Sequence, residues 1–220
     1  MEKTQKITIV VPALNEAAKL EPLLGKLTRS YDQVIIAANG STDNTHQIAK
    51  KFGVKTCGGL KRLGKGGGIL EAVKHVGSKY FVTLDVDYKN VHYIEFLVGF
   101  YEKTEVDILI GKRVFLNKRP FKRLVASIAF HALATILFGK LPDTQSGVKV
   151  IKTEVLEKLG EFKTKNYLWD LELIVKAKKR GFKIFEYPIP ETYSEERNFH
   201  VFRDGFQMFK DLVRLRVSGL

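Results

Sequence analysis

Cysteine is nearly absent from this chain, since Cys57 is the only one among 220 residues. One thiol cannot form an internal disulfide, and it cannot supply the cysteine ligands of a structural zinc site. The five histidines are scattered without the spacing of metal ligands. The sequence therefore excludes a disulfide-stabilised scaffold and a zinc module built from cysteine and histidine.

Long apolar runs are also missing. The longest nearly apolar segment, residues 124–138, contains a serine, a histidine and a threonine, and it is shorter than the ~20 residues that span a bilayer. The first residues lack the apolar segment and cleavage site of a secretory signal. We therefore expect a cytoplasmic protein, peripheral at the cytoplasmic face of a membrane, and interpret residues 124–138 as a buried or an interfacial helix.

Acidic residues are in deficit, with 24 against 37 lysines and arginines and a net charge of +13. A surface of this charge attracts nucleic acid, anionic lipid or phosphorylated ligands, and the charge alone does not choose among them. Apolar residues make up 45% of the chain, which suffices for a large core, and no repeat or flexible linker divides the sequence. One globular domain is expected.

Short β-branched runs alternate with helical patterns along the chain. This alternation predicts βαβ units and an α/β fold with a mostly parallel sheet flanked by helices. The predicted strands are residues 7–11, 33–37, 55–57, 80–84, 107–110, 148–151 and 183–187. The predicted helices include residues 16–29, 43–52, 66–76 and 91–101.

Two carboxylates, Asp85 and Asp87, follow the fourth predicted strand as a DxD motif. Residues two apart lie on the same face of a strand, so both carboxylates point to one place. Two hard oxygen donors suit Mg²⁺ or Mn²⁺, which complete their coordination with water and phosphate oxygens. A polar strand end before a turn gives the same pattern, so the motif needs support from the other loops.

The loops after the first three strands are also rich in small and polar residues. Residues 12–16 read PALNE, residues 39–45 read NGSTDNT and residues 64–68 read GKGGG. In parallel sheets, ligands bind beyond the carboxyl ends of the strands, where these loops should meet. Glycines let a backbone approach phosphate or ribose closely, and Lys65 adds a cation. Each loop taken alone is also typical of an ordinary helix start or capped turn.

Together, VPALNE, NGSTDNT, GKGGG and LDVD resemble the nucleotide-sugar half of family 2 glycosyltransferases of the GT-A fold. Downstream, GKR, DTQSG, WDLE and EYPIP resemble the branch that contains the dolichyl-phosphate mannose and glucose synthases. The resemblance implies a single GT-A domain at residues 1–197, built on a Rossmann-like sheet. Residues 1–112 would form its donor half and 113–197 its acceptor half, followed by an amphipathic helix at 198–220.

The resemblance further implies a site for a nucleotide diphosphate sugar and a divalent metal, Mg²⁺ or Mn²⁺. Asp85 and Asp87 would hold the metal, with Asp87 as its direct, catalytic ligand. The sequence departs from the family pattern at three places. Ala38-Asn39 replaces two aspartates at the base, and Lys89 replaces a glutamine near the metal. The basic residue that often follows the Pro-x-Pro segment is not evident, although Arg197 or Arg203 could substitute for it. The implied donor-binding residues are Pro12, Asn15, Glu16, Asn39, Ser41, Asp43, Lys65, Gly66 and Asp85.

The acceptor decides which further residues are needed. A phosphate monoester is already largely anionic at pH 7, so it needs a binding site and no general base. A hydroxyl acceptor must lose a proton, and Asp143 or Asp170 would then be the catalytic base. Guanidinium groups bind phosphate oxygens bidentately, although each arginine taken singly is more typical of a solvated surface. The expected acceptor phosphate site consists of Arg113, Arg119, Arg123 and Ser146.

Two segments are candidates for contact with an anionic membrane surface. Residues 124–138 lie between basic residues on both sides. In the tail, apolar residues recur at helical spacing with basic residues between them. A position packed on the domain is the alternative for both segments. The apolar tail residues are Phe199, Phe202, Phe206, Phe209, Val213 and Val217.

Three functions follow from these patterns. The first is an inverting glycosyltransferase that moves a hexose from a donor of the GDP-mannose or UDP-glucose type to a polyprenyl (dolichyl) phosphate. The second uses the same donor and a soluble hydroxyl acceptor. The third is a non-catalytic basic module that binds RNA or membrane, which leaves the four loop motifs unexplained. We therefore expect no nucleic acid partner, and the sequence predicts no oligomeric state.

Overall fold

The computed structural model describes residues 7–88, 90–115, 120–191 and 201–219, without the side chains of residues 122, 123, 191 and 201–207. The strands in this part of the chain are β1 (Thr8–Pro12), β2 (Gln33–Ala37), β3 (Lys55–Cys57), β4 (Tyr80–Leu84), β5 (Ile108–Phe115), β6 (Val148–Lys152) and β7 (Ile184–Glu191). The helices are α1 (Ala17–Ser30), α2 (Thr45–Lys51), α3 (Gly64–Val73), α4 (His92–Glu102), α5 (Phe121–Phe138), α6 (Thr153–Leu159), α7 (Trp169–Lys179) and α8 (Val201–Val217).

All seven strands form one sheet in the order β3-β2-β1-β4-β6-β5-β7. Neighbouring strands are parallel except at β6, which runs antiparallel to β4 and β5. One edge of the sheet therefore collects the carboxyl ends of the other strands and the amino end of β6. The chain order reverses between β1 and β4, which is where open α/β sheets bind ligands. The predicted α/β domain with a mostly parallel sheet is confirmed.

Helices cover both faces of the sheet, because successive strand residues point to opposite sides. Val10 and Phe81 belong to one apolar cluster, which they share with residues of α3, α5, α6, α7 and α8. Ile9 and Val82 belong to a second cluster with residues of α1, α2 and α4. Strands buried on both faces require nearly continuous apolar runs, which is the pattern that the sequence has.

The helix α8 packs on the domain with one face and exposes another. Its buried residues among the described side chains are Met208, Leu212 and Leu215, whereas Phe209, Val213 and Val217 of the apolar stripe predicted from the sequence are exposed. The first three residues of that stripe lie outside the described side chains. No helix in the described part of the chain has the length and apolar composition that crossing a membrane requires.

Glycines at the start of α3 make room for neighbouring elements. A Cβ atom on Gly66 would lie 2.3 Å from Cβ of Trp169, and one on Gly68 would lie 2.4 Å from Nδ2 of Asn39. Both glycines are buried. The run GKGGG therefore lets α3 approach α7 and the loop after β2. For Gly66 this packing explains the need for glycine, because Trp169 covers the position of a side chain, and the contact with the donor stays a prediction.

This packing predicts opposite effects for two glycine-to-alanine substitutions. Gly66→Ala should lower the free energy of unfolding by about 2 kcal/mol, because the new methyl group overlaps Trp169. Gly99→Ala in α4 is the matched control, since no atom outside its own helix lies within 4 Å of the new Cβ. It should be neutral or stabilising by up to about 1 kcal/mol. Urea denaturation measures both, and equal effects would contradict the packing argument.

Candidate active site

The loops after β1 and β2 are tied together by hydrogen bonds. Asn15 has a left-handed φ of 55°, and its Oδ1 accepts a bond from the backbone N–H of Thr42 at 2.8 Å. Asp43 accepts from the backbone N–H groups of Ala17 at 3.1 Å and Thr45 at 3.0 Å. Desolvation acts to raise the pKa of Asp43, but the hydrogen bonds from the Thr45 hydroxyl and from these N–H groups outweigh it and lower the pKa below its ordinary value. Asp43 therefore anchors the first turns of α1 and α2.

The other predicted donor residues of this region divide between surface and interior. Pro12 and Glu16 are partly exposed and Asn15 is exposed, so these three can meet a ligand. Ser41 is buried, and its hydroxyl oxygen accepts a bond from the backbone N–H of Asn15 at 3.2 Å. Its role in the structure is to fix the loop beneath the surface that Pro12, Asn15 and Glu16 form.

Asn39 is buried between two glycines and has an unused acceptor. A Cβ atom on Gly58 would lie 1.9 Å from its Oδ1, and Gly68 lies against its Nδ2. Its Oδ1 has no hydrogen-bond partner among the described residues. A buried polar atom without a partner costs roughly 1–3 kcal/mol, so this oxygen favours a ligand that donates a hydrogen bond.

Asp85 is held in place by the loop that precedes β6. Its backbone N–H donates to the carbonyl of Gly147 at 2.8 Å, and a Cβ atom on Gly147 would lie only 3.0 Å from its Oδ2. Asp87 follows in the turn and is partly exposed. The loop with the DTQSG motif therefore reaches the DxD motif because β6 runs against the other strands and begins at this edge.

Four charged side chains lead from Asp85 into the core, and we call them the buried charge chain. Nζ of Lys65 lies 2.9 Å from Oδ1 of Asp85 and 2.9 Å from Oδ2 of Asp170. Nζ of Lys149 lies 2.7 Å from Oδ1 of Asp170 and donates to the carbonyl of Ser146 at 2.6 Å. Lys149 is fully buried and Asp170 is 4% exposed. Because two cations face two anions, each buried charge has a partner.

Sequence reasoning missed Lys149, although a signal was present. The strand reads VKVIK, and a single lysine inside a buried apolar strand requires an anionic partner. Strand alternation places Lys149 on the same side as Ile151, which packs with α7. The partner is then an acidic residue of the α7 layer, which is Asp170.

The helix α7 separates the two acidic residues of the WDLE motif. Asp170 points to the two lysines, whereas Glu172 accepts from the backbone N–H groups of Lys163 at 2.9 Å and Thr164 at 2.7 Å. Desolvation acts to raise the pKa of Asp170, but Lys149 and Lys65 outweigh it and lower the pKa below its ordinary value. A general base needs a free oxygen in reach of the substrate. Asp170, with both oxygens occupied, is therefore unsuited to the role of base that the sequence suggested.

Arg113 and Asp143, predicted to serve the acceptor separately, bind each other. Nε and Nη2 of Arg113 each donate to one carboxylate oxygen at 2.8 Å. Desolvation acts to raise the pKa of Asp143, but Arg113 outweighs it and lowers the pKa, which makes Asp143 a poor base. Ser146 is buried and its hydroxyl donates to the carbonyl of Gly111, so it stabilises the loop rather than presenting a phosphate ligand. Two of the Arg113 donors are likewise committed within the protein.

Five other predicted positions lie outside the described part of the chain. These are Lys89, Arg119, Arg197 and the side chains of Arg123 and Arg203.

The residues at the DxD motif fit a divalent metal that arrives with a diphosphate. Asp85 and Asp87 offer carboxylate oxygens, the donors that Mg²⁺ and Mn²⁺ prefer. No group of three or more metal-binding side chains converges in the described residues. The protein would therefore supply two carboxylates at most, and water and phosphate oxygens would complete the coordination.

The buried charge chain predicts that burial, rather than distance, decides how much the loss of an ion pair lowers the free energy of unfolding. Lys149→Met should cost about 3 kcal/mol in the free energy of unfolding, because it leaves the buried Asp170 with one partner fewer. Lys158→Met breaks a pair with Glu154 of the same 2.7 Å length on an exposed helix surface. It should cost less than about 0.5 kcal/mol. Urea denaturation of both variants measures the difference, and similar costs would contradict the prediction.

Known proteins of similar sequence and fold indicate the family of this chain. The chain is 30% identical to the uncharacterized protein MJ1222 of Methanocaldococcus jannaschii, over 96% of this chain and 93% of that protein. It is 27% identical to the dolichyl-phosphate beta-glucosyltransferase of Dictyostelium discoideum, over 97% of this chain and 75% of that protein.

Among solved structures, the chain resembles the glucosyl-3-phosphoglycerate synthase of Mycobacterium tuberculosis in complex with Mn²⁺, UDP and glucosyl-3-phosphoglycerate. The TM-score is 0.77 and the identity 19%, over 96% of this chain and 80% of that one. At this identity the likeness shows a shared fold.

The family model of glycosyl transferase family 2 matches residues 8–160. That match covers most of the chain and includes the loops after β1, β2, β3 and β4, whose motifs predicted this family. The prediction is confirmed, and so is the resemblance to the dolichyl-phosphate sugar synthase branch. The chain belongs to glycosyl transferase family 2 and is a glycosyltransferase.

Proposed function

We propose that this glycosyltransferase moves a hexose from a nucleotide diphosphate sugar to a polyprenyl phosphate with inversion at the anomeric carbon. The observation that carries the proposal is the convergence of four loops at the edge of the sheet, with Asp85 and Asp87 among them. The similarity to a dolichyl-phosphate beta-glucosyltransferase supports the acceptor class.

The donor nucleotide would lie across the switch point between β1 and β4. Pro12, Asn15 and Glu16 provide the exposed surface beside it, and the unpartnered Oδ1 of Asn39 accepts a hydrogen bond from the base. Asp87 is the proposed metal ligand. A bound Mg²⁺ or Mn²⁺ would supply Lewis-acid stabilisation of the diphosphate leaving group.

The proposed reaction is a single displacement in which no general base takes part. An oxygen of the acceptor phosphate forms the new bond to the anomeric carbon while the bond between that carbon and the diphosphate oxygen breaks. The nucleoside diphosphate leaves with the bonding electrons. The acceptor oxygen is already anionic near pH 7, so no proton has to be removed from it.

A soluble hydroxyl acceptor is the weaker alternative. It requires a general base, and the two candidates, Asp143 and Asp170, are bound to cations that lower their pKa values. The family assignment identifies the chain as an enzyme, which contradicts the third function considered from the sequence, a non-catalytic binding module.

A glycosyl transfer assay that compares the parent protein with Asp87→Asn tests the proposal. Incubation with a panel of nucleotide sugars, a short polyprenyl phosphate and Mg²⁺ or Mn²⁺ should give a glycolipid that mass spectrometry identifies. Asp87→Asn should lower the rate by about 100-fold or more, because the leaving group loses its metal contact. Glu105→Gln, which neutralises an exposed carboxylate paired with Lys183, should leave the rate unchanged.

Both variants should keep the melting temperature of the parent protein, which separates loss of activity from loss of fold. Absence of product with every donor, together with absence of a donor-induced thermal shift, would contradict the proposed function.

We also propose that α5 and α8 place the enzyme on an anionic membrane surface. The buried side of α5 packs in the core through Phe130, Leu133 and Leu137. Its opposite side exposes apolar residues, with Phe121 77%, Ile128 60% and Ile136 79% exposed. An apolar helix face beside basic residues suits the headgroup region of a bilayer. The exposed residues of α8 add Phe209, Val213 and Val217 to the apolar surface and Lys210, Arg214 and Arg216 to the charge.

Vesicle flotation tests this placement. Replacing both Ile128 and Ile136 with Asp should weaken binding to vesicles that contain anionic lipid by about 10-fold, because apolar area is lost and like charge is added. Leu60→Asp is the control, since Leu60 is 94% exposed and lies outside both helices. Unchanged flotation of the double variant would contradict the proposal, and a dimer that the same substitutions dissociate would assign the α5 face to a second copy of the chain.

A further inference from the structure

Lys65 already occupies part of the carboxylate pair that a metal would use. Its ammonium lies 2.9 Å from Oδ1 of Asp85, and the Lys65 side chain is only 18% exposed. A metal bound to the same oxygen would lie about 2.1 Å from it. The two cations would then be neighbours on one carboxylate, and their repulsion would oppose metal binding there.

Lys65 cannot leave Asp85 without a cost elsewhere. Its ammonium also holds Oδ2 of Asp170, which is almost fully buried. Withdrawing the lysine would leave Asp170 with Lys149 alone. The start of α3 is fixed as well, because Gly66 lies directly against Trp169 of α7. The lysine is therefore held at the DxD motif by the core and not by a ligand.

The charges around the DxD motif determine how strongly it can bind a metal. The buried charge chain contains two lysines and two aspartates, so Asp85 is neutralised before any ligand binds. Of the two DxD carboxylates, Asp87 is the one that stands outside the buried charge chain. A dication that binds without a donor meets the Lys65 ammonium beside one of the two DxD carboxylates. A diphosphate brings its own negative charge, which attracts both the metal and Lys65 and so allows the two cations to lie close together.

We propose that Lys65 is a resident cation of the donor site that makes metal binding depend on the donor. It neutralises Asp85, so that metal alone binds weakly through Asp87, and the diphosphate of the donor supplies the charge that completes the site. Asp170 and Lys149 are positioning residues that hold Lys65 at this place. The inference rests on the proposed use of a metal at Asp87.

The test measures Mn²⁺ binding to the full chain without any sugar donor or acceptor, by electron paramagnetic resonance or calorimetry. Lys65→Met should tighten the binding of Mn²⁺ alone by about 10-fold, because it removes the competing cation and frees Asp85. Lys74→Met is the matched control, since Lys74 directly follows the same helix and pairs with the partly exposed Glu71 at 2.7 Å. It should leave Mn²⁺ binding unchanged.

Two further variants separate charge from packing. Lys65→Gln keeps a hydrogen-bond donor without the charge and should also tighten Mn²⁺ binding, which keeps the test usable if Lys65→Met fails to fold. Lys65→Arg keeps the charge and should bind Mn²⁺ as the parent protein does. Addition of UDP should strengthen Mn²⁺ binding more in the parent protein than in Lys65→Gln.

Neutral variants that bind Mn²⁺ as weakly as the parent protein, or more weakly, would overturn the inference. Because these measurements involve no transfer, they are independent of the proposed reaction. A parent protein that makes glycolipid while its neutral variants fail to gain Mn²⁺ affinity would leave the proposed function intact and remove only the role of Lys65. Absence of Mn²⁺ binding in all variants, even with UDP, would overturn both this inference and the metal ligand role of Asp87.

Discussion

The contact of Asp170 with two lysines is the constraint on which the site depends. A buried carboxylate needs cations or hydrogen-bond donors around it, and here Lys149 comes from β6 and Lys65 from α3. Because Lys65 also binds Asp85, one buried anion fixes the relative positions of α7, α3, β6 and the end of β4. The glycines of α3 serve the same arrangement, since a side chain at Gly66 would push α3 away from α7.

The reversed direction of β6 brings the two halves of the chain together. If β6 were parallel to its neighbours, the loop before it would lie at the far edge of the sheet. Because it is antiparallel, the residues before it meet the residues after β4, and Gly147 binds the backbone of Asp85. The same loop contains Asp143, which holds Arg113 of β5. The DxD motif is therefore joined to the loop before β6 by a backbone hydrogen bond, and that loop is joined to β5 by an ion pair.

The sequence predicts the strands and their loops because these depend on local periodicity and on turn residues. All seven strands were expected within a few residues, and the loops with PALNE, NGSTDNT, GKGGG and LDVD do meet at one edge. The partners of charged residues were not predictable in this way. Arg113 and Asp143 are 30 positions apart, and Lys65 and Asp170 are 105 apart. Only the fold shows that the two members of each pair bind each other. The same holds for Gly66, whose glycine requirement comes from Trp169.

These pairings explain why the nature of the acceptor matters for this site. Both carboxylates that sequence reasoning offered as bases are stabilised in the ionised form by a neighbouring cation, and a proton taken from a substrate would break that pairing. A hydroxyl acceptor would therefore have to react without a suitable general base to accept its proton. A phosphate acceptor avoids the problem, because it arrives without that proton and its charge is attracted by a protein with a net charge of +13. The pairs that make the core stable thus favour a nucleophile that brings its own negative charge.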